Sequence, residues 1–143
     1  MKALVSWYDH RGFVLVSALV LVTISGCGGR DKDELPAVAA AGKVTYKGSP
    51  VSKGTMYFLP DKGRPSTGII KDGSFTLTTY TDGDGAVAGK HQVGVLVTEE
   101  VPTKGGDFVP KYLIPEKYSQ PENSGIAIDI PPAGNTNIQI DIK

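Results

Sequence analysis

The feature that most restricts this chain is a strict two-residue alternation near its end. Ile126, Ile128 and Ile130 occupy every second position of residues 125–130, and Ile138, Ile140 and Ile142 share one face of residues 135–142. Successive side chains of an extended strand point to opposite faces, so each run gathers its isoleucines on one side and its polar residues on the other. β-branched residues at this period favour strands over helices. Pro131-Pro132-Ala133-Gly134 turns the chain between the two runs.

The same pattern extends upstream to Gly42. Residues 43–47 alternate, with Gly48-Ser49-Pro50 ending the run, and residues 55–59 form a more apolar strand stopped by Pro60. Residues 67–71 and 74–80 flank Asp72-Gly73, a two-residue hairpin signal because both positions tolerate positive φ. Phe75 and Leu77 fall on one face, Thr76 and Thr78 on the other. A glycine-rich connection, residues 81–89, leads to a strand over 90–99 with Val93, Val95 and Val97 inward and Gln92 and Gly94 outward. Residues 100–124 read as a long connection holding four prolines.

Seven strands of this kind predict an all-β, antiparallel fold of two packed sheets, with a small closed barrel as the alternative. The expected core is Val44, Phe58, Ile70, Phe75, Leu77, Val93, Val95, Val97, Ile128, Ile138 and Ile140.

Ahead of the strands the composition changes twice. Lys2 and Arg11 precede an apolar run over residues 13–24, which as a helix rises about 18 Å and falls short of a ~30 Å hydrocarbon core. That is the pattern of a secretory leader. Ile24-Ser25-Gly26-Cys27 follows and resembles the lipobox of bacterial lipoproteins, matching at every position. Small residues let a peptidase grip an extended backbone there, and the Cys27 thiol is the group that takes a diacylglyceryl thioether. The resemblance implies a cleaved leader (1–26), a lipidated N-terminus and flexible tether (27–41) and a folded domain (42–143). It also implies palmitate-type acyl chains on Cys27 that hold the protein to a membrane of the cell envelope. By the same resemblance, to lipoprotein sorting rules, Gly28 in place of Asp implies the outer membrane where there are two. Without sustained periodicity, residues 28–41 behave as a coil with a root-mean-square reach of about 20 Å.

Charge and cysteine content exclude several classes. The whole chain carries 15 basic and 15 acidic residues, so nothing points to nucleic acid. A single cysteine rules out an internal disulfide or a multi-thiolate zinc site.

The order of motifs resembles the carboxypeptidase regulatory-like domain. Gly42-Lys43-Val44-Thr45-Tyr46-Lys47-Gly48-Ser49-Pro50-Val51 is similar to the family's opening strand and turn, and Gly54-Thr55 with Tyr57-Phe58 to its second strand. Asp72-Gly73-Ser74-Phe75-Thr76-Leu77 resembles its hairpin, and Gly89-Lys90-His91-Gln92-Val93 its later strand entry, with His91 where an aromatic is common. Within that family the Gly83-Asp84-Gly85 loop and the Pro115-Glu116-Lys117-Tyr118-Ser119 segment resemble a group of small lipoproteins without an assigned activity. The resemblance implies a seven-stranded Greek-key sandwich of the transthyretin (prealbumin) type.

Little in the mature chain supports catalysis. His10 and Trp7 lie in the leader, leaving His91 as a histidine expected to be either satisfied or at the surface. The ligand set of a zinc peptidase is missing, and so are the histidines and terminal motif of ring-hydrolysing transthyretin-like proteins. Asp82 and Asp84, with Asp72, offer oxygens to calcium or else belong to a solvated turn. Phe108, Tyr112 and Tyr118 in the 100–124 connection either stack on a glycan or protein partner or fold back to cap the domain. The expectation is a non-enzymatic, lipid-anchored envelope module with no cofactor beyond its lipid. The alternative is a carbohydrate- or peptide-binding protein using the 100–124 and 81–89 loops.

Overall fold

The computed structural model describes residues 34–143. The leader, the Ile24-Ser25-Gly26-Cys27 motif and the first part of the tether lie outside the described residues. The rest is all-β: β1 (Ala37–Val38), β2 (Ala40–Tyr46), β3 (Ser49–Pro50), β4 (Lys53–Pro60), β5 (Ser66–Lys71), β6 (Ser74–Thr78), β7 (Ala86–Val87), β8 (Gly89–Leu96), β9 (Thr98–Pro102), β10 (Phe108–Tyr112), β11 (Ala127–Ile130) and β12 (Asn135–Ile142). Between β10 and β11 come a 3₁₀ turn (Glu116–Ser119) and a one-turn helix α1 (Pro121–Ser124).

Eight strands form one sheet in the order β11-β8-β4-β5-β6-β2-β12, with β3 beside β2. Its two edge strands feed a single core: Ile130 from β11 and Ile138, Ile140 and Ile142 from β12 share a cluster with Phe58, Met56 and Val95 from the middle. The sheet therefore curls on itself. Ten of the eleven expected core residues are buried; Ile128 is only partly covered, because the face of β11 closes fully only at Ile130.

Asp72 and Gly73 both adopt positive φ (49° and 75°), as the β5–β6 turn requires. A second turn of this kind joins β2 to β3 through Lys47 (φ 51°) and Gly48 (φ 80°), pairing Tyr46 with Ser49.

Two expectations need correction. β12 pairs with β2 in parallel, so the sheet is not wholly antiparallel. The cause lies at Gly134 and Asn135: Gly134 (φ 82°) closes a turn onto the Pro131 carbonyl, and the Asn135 N–H bonds the Ala39 carbonyl at 2.8 Å. This pins the start of β12 to the start of β2, on the far edge from β11. The strand region also begins before Gly42. Ala37 and Val38 pair with Val87 and Ala86, Ala40 is buried, and the Tyr80 hydroxyl donates to the Leu35 carbonyl at 2.9 Å. A Cβ on Gly85 would run into the Val38 carbonyl, so a glycine is needed where this strap crosses.

Every long strand runs between the same two ends. At the entry end lie Leu35, Pro60, Gly89, His91 and Asn135; at the far end lie Tyr46, Lys53, Leu96 and the β9–β10 hairpin. On the outer face of β8 the 3₁₀ turn and α1 pack directly over Gly94, where an added Cβ would meet Pro121 Cδ at 2.9 Å and the Ser119 carbonyl at 3.0 Å.

Candidate functional site: an exposed apolar hairpin

The 100–124 connection is not a loop throughout. Its first half folds into the β9–β10 hairpin, with Phe108 opposite Pro102, Pro110 opposite Glu100 and Tyr112 opposite Thr98. The Thr103 N–H bonds the Asp107 carbonyl at 2.7 Å near the tip, and the Leu113 N–H bonds the Val97 carbonyl at 2.9 Å at the base. This two-stranded sheet is separate from the main one, and every residue of β10 is exposed. Phe108 is 65 % exposed, Val109 47 %, Leu113 42 % and Tyr112 39 %. Alternation puts Phe108, Pro110 and Tyr112 on one face, and Val109 and Lys111 on the other.

Of the three aromatic residues flagged in this connection, Phe108 and Tyr112 share one exposed strand face and Tyr118 does not join them. Tyr118 is 9 % exposed and its hydroxyl donates to the Lys143 carbonyl at 3.3 Å. It caps the core, with the Lys117 ammonium 4.7 Å from its ring centre. Val109, on the opposite face, and Leu113, at the base of the hairpin, add further exposed apolar surface. Sequence reasoning passed over them because exposure cannot be read from an isolated aliphatic residue.

The acidic loop is committed to its own turn. Asp84 Oδ1 accepts the Thr79 N–H at 2.7 Å, and Oδ2 accepts those of Tyr80 and Thr81, each at 3.0 Å. Burial pushes the carboxyl up, but these backbone donors outweigh it and hold Asp84 below the ordinary carboxylate range. The Thr79 hydroxyl donates to the Gly85 carbonyl (2.8 Å), leaving Ser66 to donate to Thr79 (2.7 Å). Asp82 stands exposed, and no three His, Cys, Asp or Glu side chains gather as metal ligands among the described residues. Asp84 thus has the environment of a turn-forming carboxylate, with Asp82 beside it in solvent.

His91 is neither at the surface nor fully satisfied. It is 1 % exposed, edge-on to Phe58 with ring centres 5.8 Å apart. Nδ1 lies 3.0 Å from the Gly89 carbonyl, which as an acceptor requires the proton on Nδ1. Nε2 is then a bare acceptor, and it has no partner. Burial pushes the imidazole below its ordinary value, against the opposing pull of the Gly89 carbonyl, Asp61 and Asp129. With the ring sealed inside, it has no reach to a substrate.

No known protein family, curated protein or solved structure matches this chain.

Proposed function

We propose that this protein is an exported lipoprotein that displays a non-catalytic β-domain as a contact module of the cell envelope. In this reading Cys27 carries the acyl anchor after cleavage behind Ile24-Ser25-Gly26, and the curled sheet is a transthyretin-like Greek-key sandwich of the carboxypeptidase regulatory-like type. The observation that carries it is the β9–β10 hairpin. Its apolar residues contribute nothing to the core yet are held in a defined ladder, which is how a chain presents a contact surface. The strap at Ala37–Val38 supports the same reading, because it fixes the tether to the end of the domain opposite the hairpin.

The test of the anchor is Cys27→Ser. Lipid labelling should disappear and the protein should leave the membrane fraction; a wild-type protein that carries no lipid and stays membrane-bound refutes this half of the proposal. A glycan-binding function is the second reading, favoured by Phe108 and Tyr112 sharing one face about 13 Å apart. A glycan array probed with wild type and Tyr112→Ala separates the two: a specific hit lost in the variant establishes the second reading.

A further inference from the structure

We infer that the free edge of β12 pairs, antiparallel, with the same edge of a second copy of this chain, joining two sheets into one across a two-fold axis at Gln139. Such a contact depends on neither the hairpin nor the anchor.

Among the described residues β12 ends the sheet and pairs with β2 alone. Along a strand, the backbone groups of successive residues point to opposite edges. The Ile142 carbonyl accepts the Lys47 N–H at 2.8 Å, so Ile138, Ile140 and Ile142 turn their groups to β2. Those of Asn137, Gln139 and Asp141 point to the free edge, where no backbone group among the described residues meets them. The Asn137 N–H is taken by Asn135 Oδ1 at 2.9 Å. The N–H groups of Gln139 and Asp141 and the three carbonyls remain open, and all three residues are exposed. Natural sheet edges are blunted by proline, lysine, a bulge or short length. The opposite edge follows that rule, since β11 has 4 residues and runs into Pro131. β12 has 8 residues without proline or lysine, and its irregularity is confined to its start, between Asn135 and Ile138. Open backbone groups of this kind are met by an added strand.

The residue order along the edge makes that strand a second β12. A two-fold contact must be self-complementary, and Asn137-Ile138-Gln139-Ile140-Asp141 is so about its centre. Gln139 falls opposite Gln139 of the second copy, Asn137 opposite Asp141, and Ile138 opposite Ile140. Each carboxylate then meets an amide, and the apolar inner face continues from one copy into the next. The Asp141 side chain already leans toward β2, where it accepts the Thr45 hydroxyl at 2.8 Å, and so leaves the edge clear. Hydrogen bonding selects the same register. Gln139 exchanges both its groups with its counterpart, and each Asp141 N–H reaches the Asn137 carbonyl of the other copy. Centring the axis on Ile138 would call on the Asn137 N–H that Asn135 occupies, and centring it on Asp141 would set two carboxylates side by side.

The test is cysteine trapping of the full chain in the cell that makes it, under a mild thiol oxidant. The unchanged chain, which holds Cys27 alone, is the baseline. Residues directly opposite in such a pair lie about 5.5 Å apart, within reach of a disulfide. Gln139→Cys should give a reducible dimer of the chain well above baseline. Asn137→Cys and Asp141→Cys, each out of step with itself across the axis, should link weakly alone and strongly when two differently tagged copies carry one each. Adding Gln139→Lys to both copies sets two ammonium groups opposite each other at an exposed position and should lower that yield several-fold. No dimer above baseline from Gln139→Cys overturns the inference. So does a disulfide to another polypeptide in its place, self-linking of Asn137→Cys or Asp141→Cys as strong as that of Gln139→Cys, or a yield that Gln139→Lys leaves unchanged.

Discussion

His91 gives the sharpest energetic prediction. Acidification is the perturbation, and the sign follows from proton counting. The unfolded chain holds a histidine near 6.5, whereas burial holds the folded ring lower. Below 6.5 the unfolded state therefore binds more protons, and stability falls with pH until the folded value is reached. Above 6.5 His91 contributes its full share. Within the window the loss approaches about 1.4 kcal/mol per pH unit. Asp84 does not blur this, because its depressed carboxyl titrates below 3.8. The control is His91→Leu, which removes the titration and the orphaned Nε2 along with the Nδ1–H bond to Gly89. Relief of an unsatisfied acceptor is worth about 1–3 kcal/mol and loss of one hydrogen bond about 1 kcal/mol. The variant should then equal or exceed wild type by up to about 2 kcal/mol at pH 7.5. Urea midpoints of both proteins between pH 5 and 8 decide the matter. A slope that persists in the variant, or a wild type that grows more stable on acidification, refutes the reasoning.

Two further substitutions probe the supports of the fold. Asp84→Ala leaves three backbone N–H groups without their acceptor and should cost about 2 kcal/mol by urea denaturation, with millimolar calcium moving the wild-type midpoint no further than a magnesium control. Gly94→Ala drives a methyl into Pro121 and the Ser119 carbonyl, so it should cost about 1–3 kcal/mol and increase amide exchange across the 3₁₀ turn and α1.

The parts of this fold visible in sequence are those fixed by local periodicity. The isoleucines of β11 and β12, the valines of β8 and the Asp72-Gly73 turn all declare themselves within a few residues. The parallel pairing of β12 with β2 does not, because it depends on which edge the chain reaches after Pro131-Pro132. β1 went unread because the small residues around Ala37 carry no pattern; pairing with β7 makes it a strand. The Lys47-Gly48 turn was masked by a lysine at positive φ, a conformation its side chain disfavours. In the hairpin, Pro102 and Pro110 made a strand read as loop, although proline is tolerated where an edge faces outward. The aromatic residues were legible as candidates, but only their surroundings separate the exposed pair, Phe108 and Tyr112, from the capping Tyr118.

Were the domain held by its N-terminal segment, as the proposed anchor implies, the parallel pairing of β2 and β12 would have a mechanical meaning. Tension applied through the N-terminal segment first meets the two-residue β1–β7 clasp, which can peel open one bond at a time. Behind it lies β2, flanked by β6 and β12, whose hydrogen bonds run across the direction of pull. Those bonds share the load in shear rather than unzipping in turn. If the far end is held by the hairpin, force travels lengthwise through the strands, and the domain yields slack at the clasp before its core is strained.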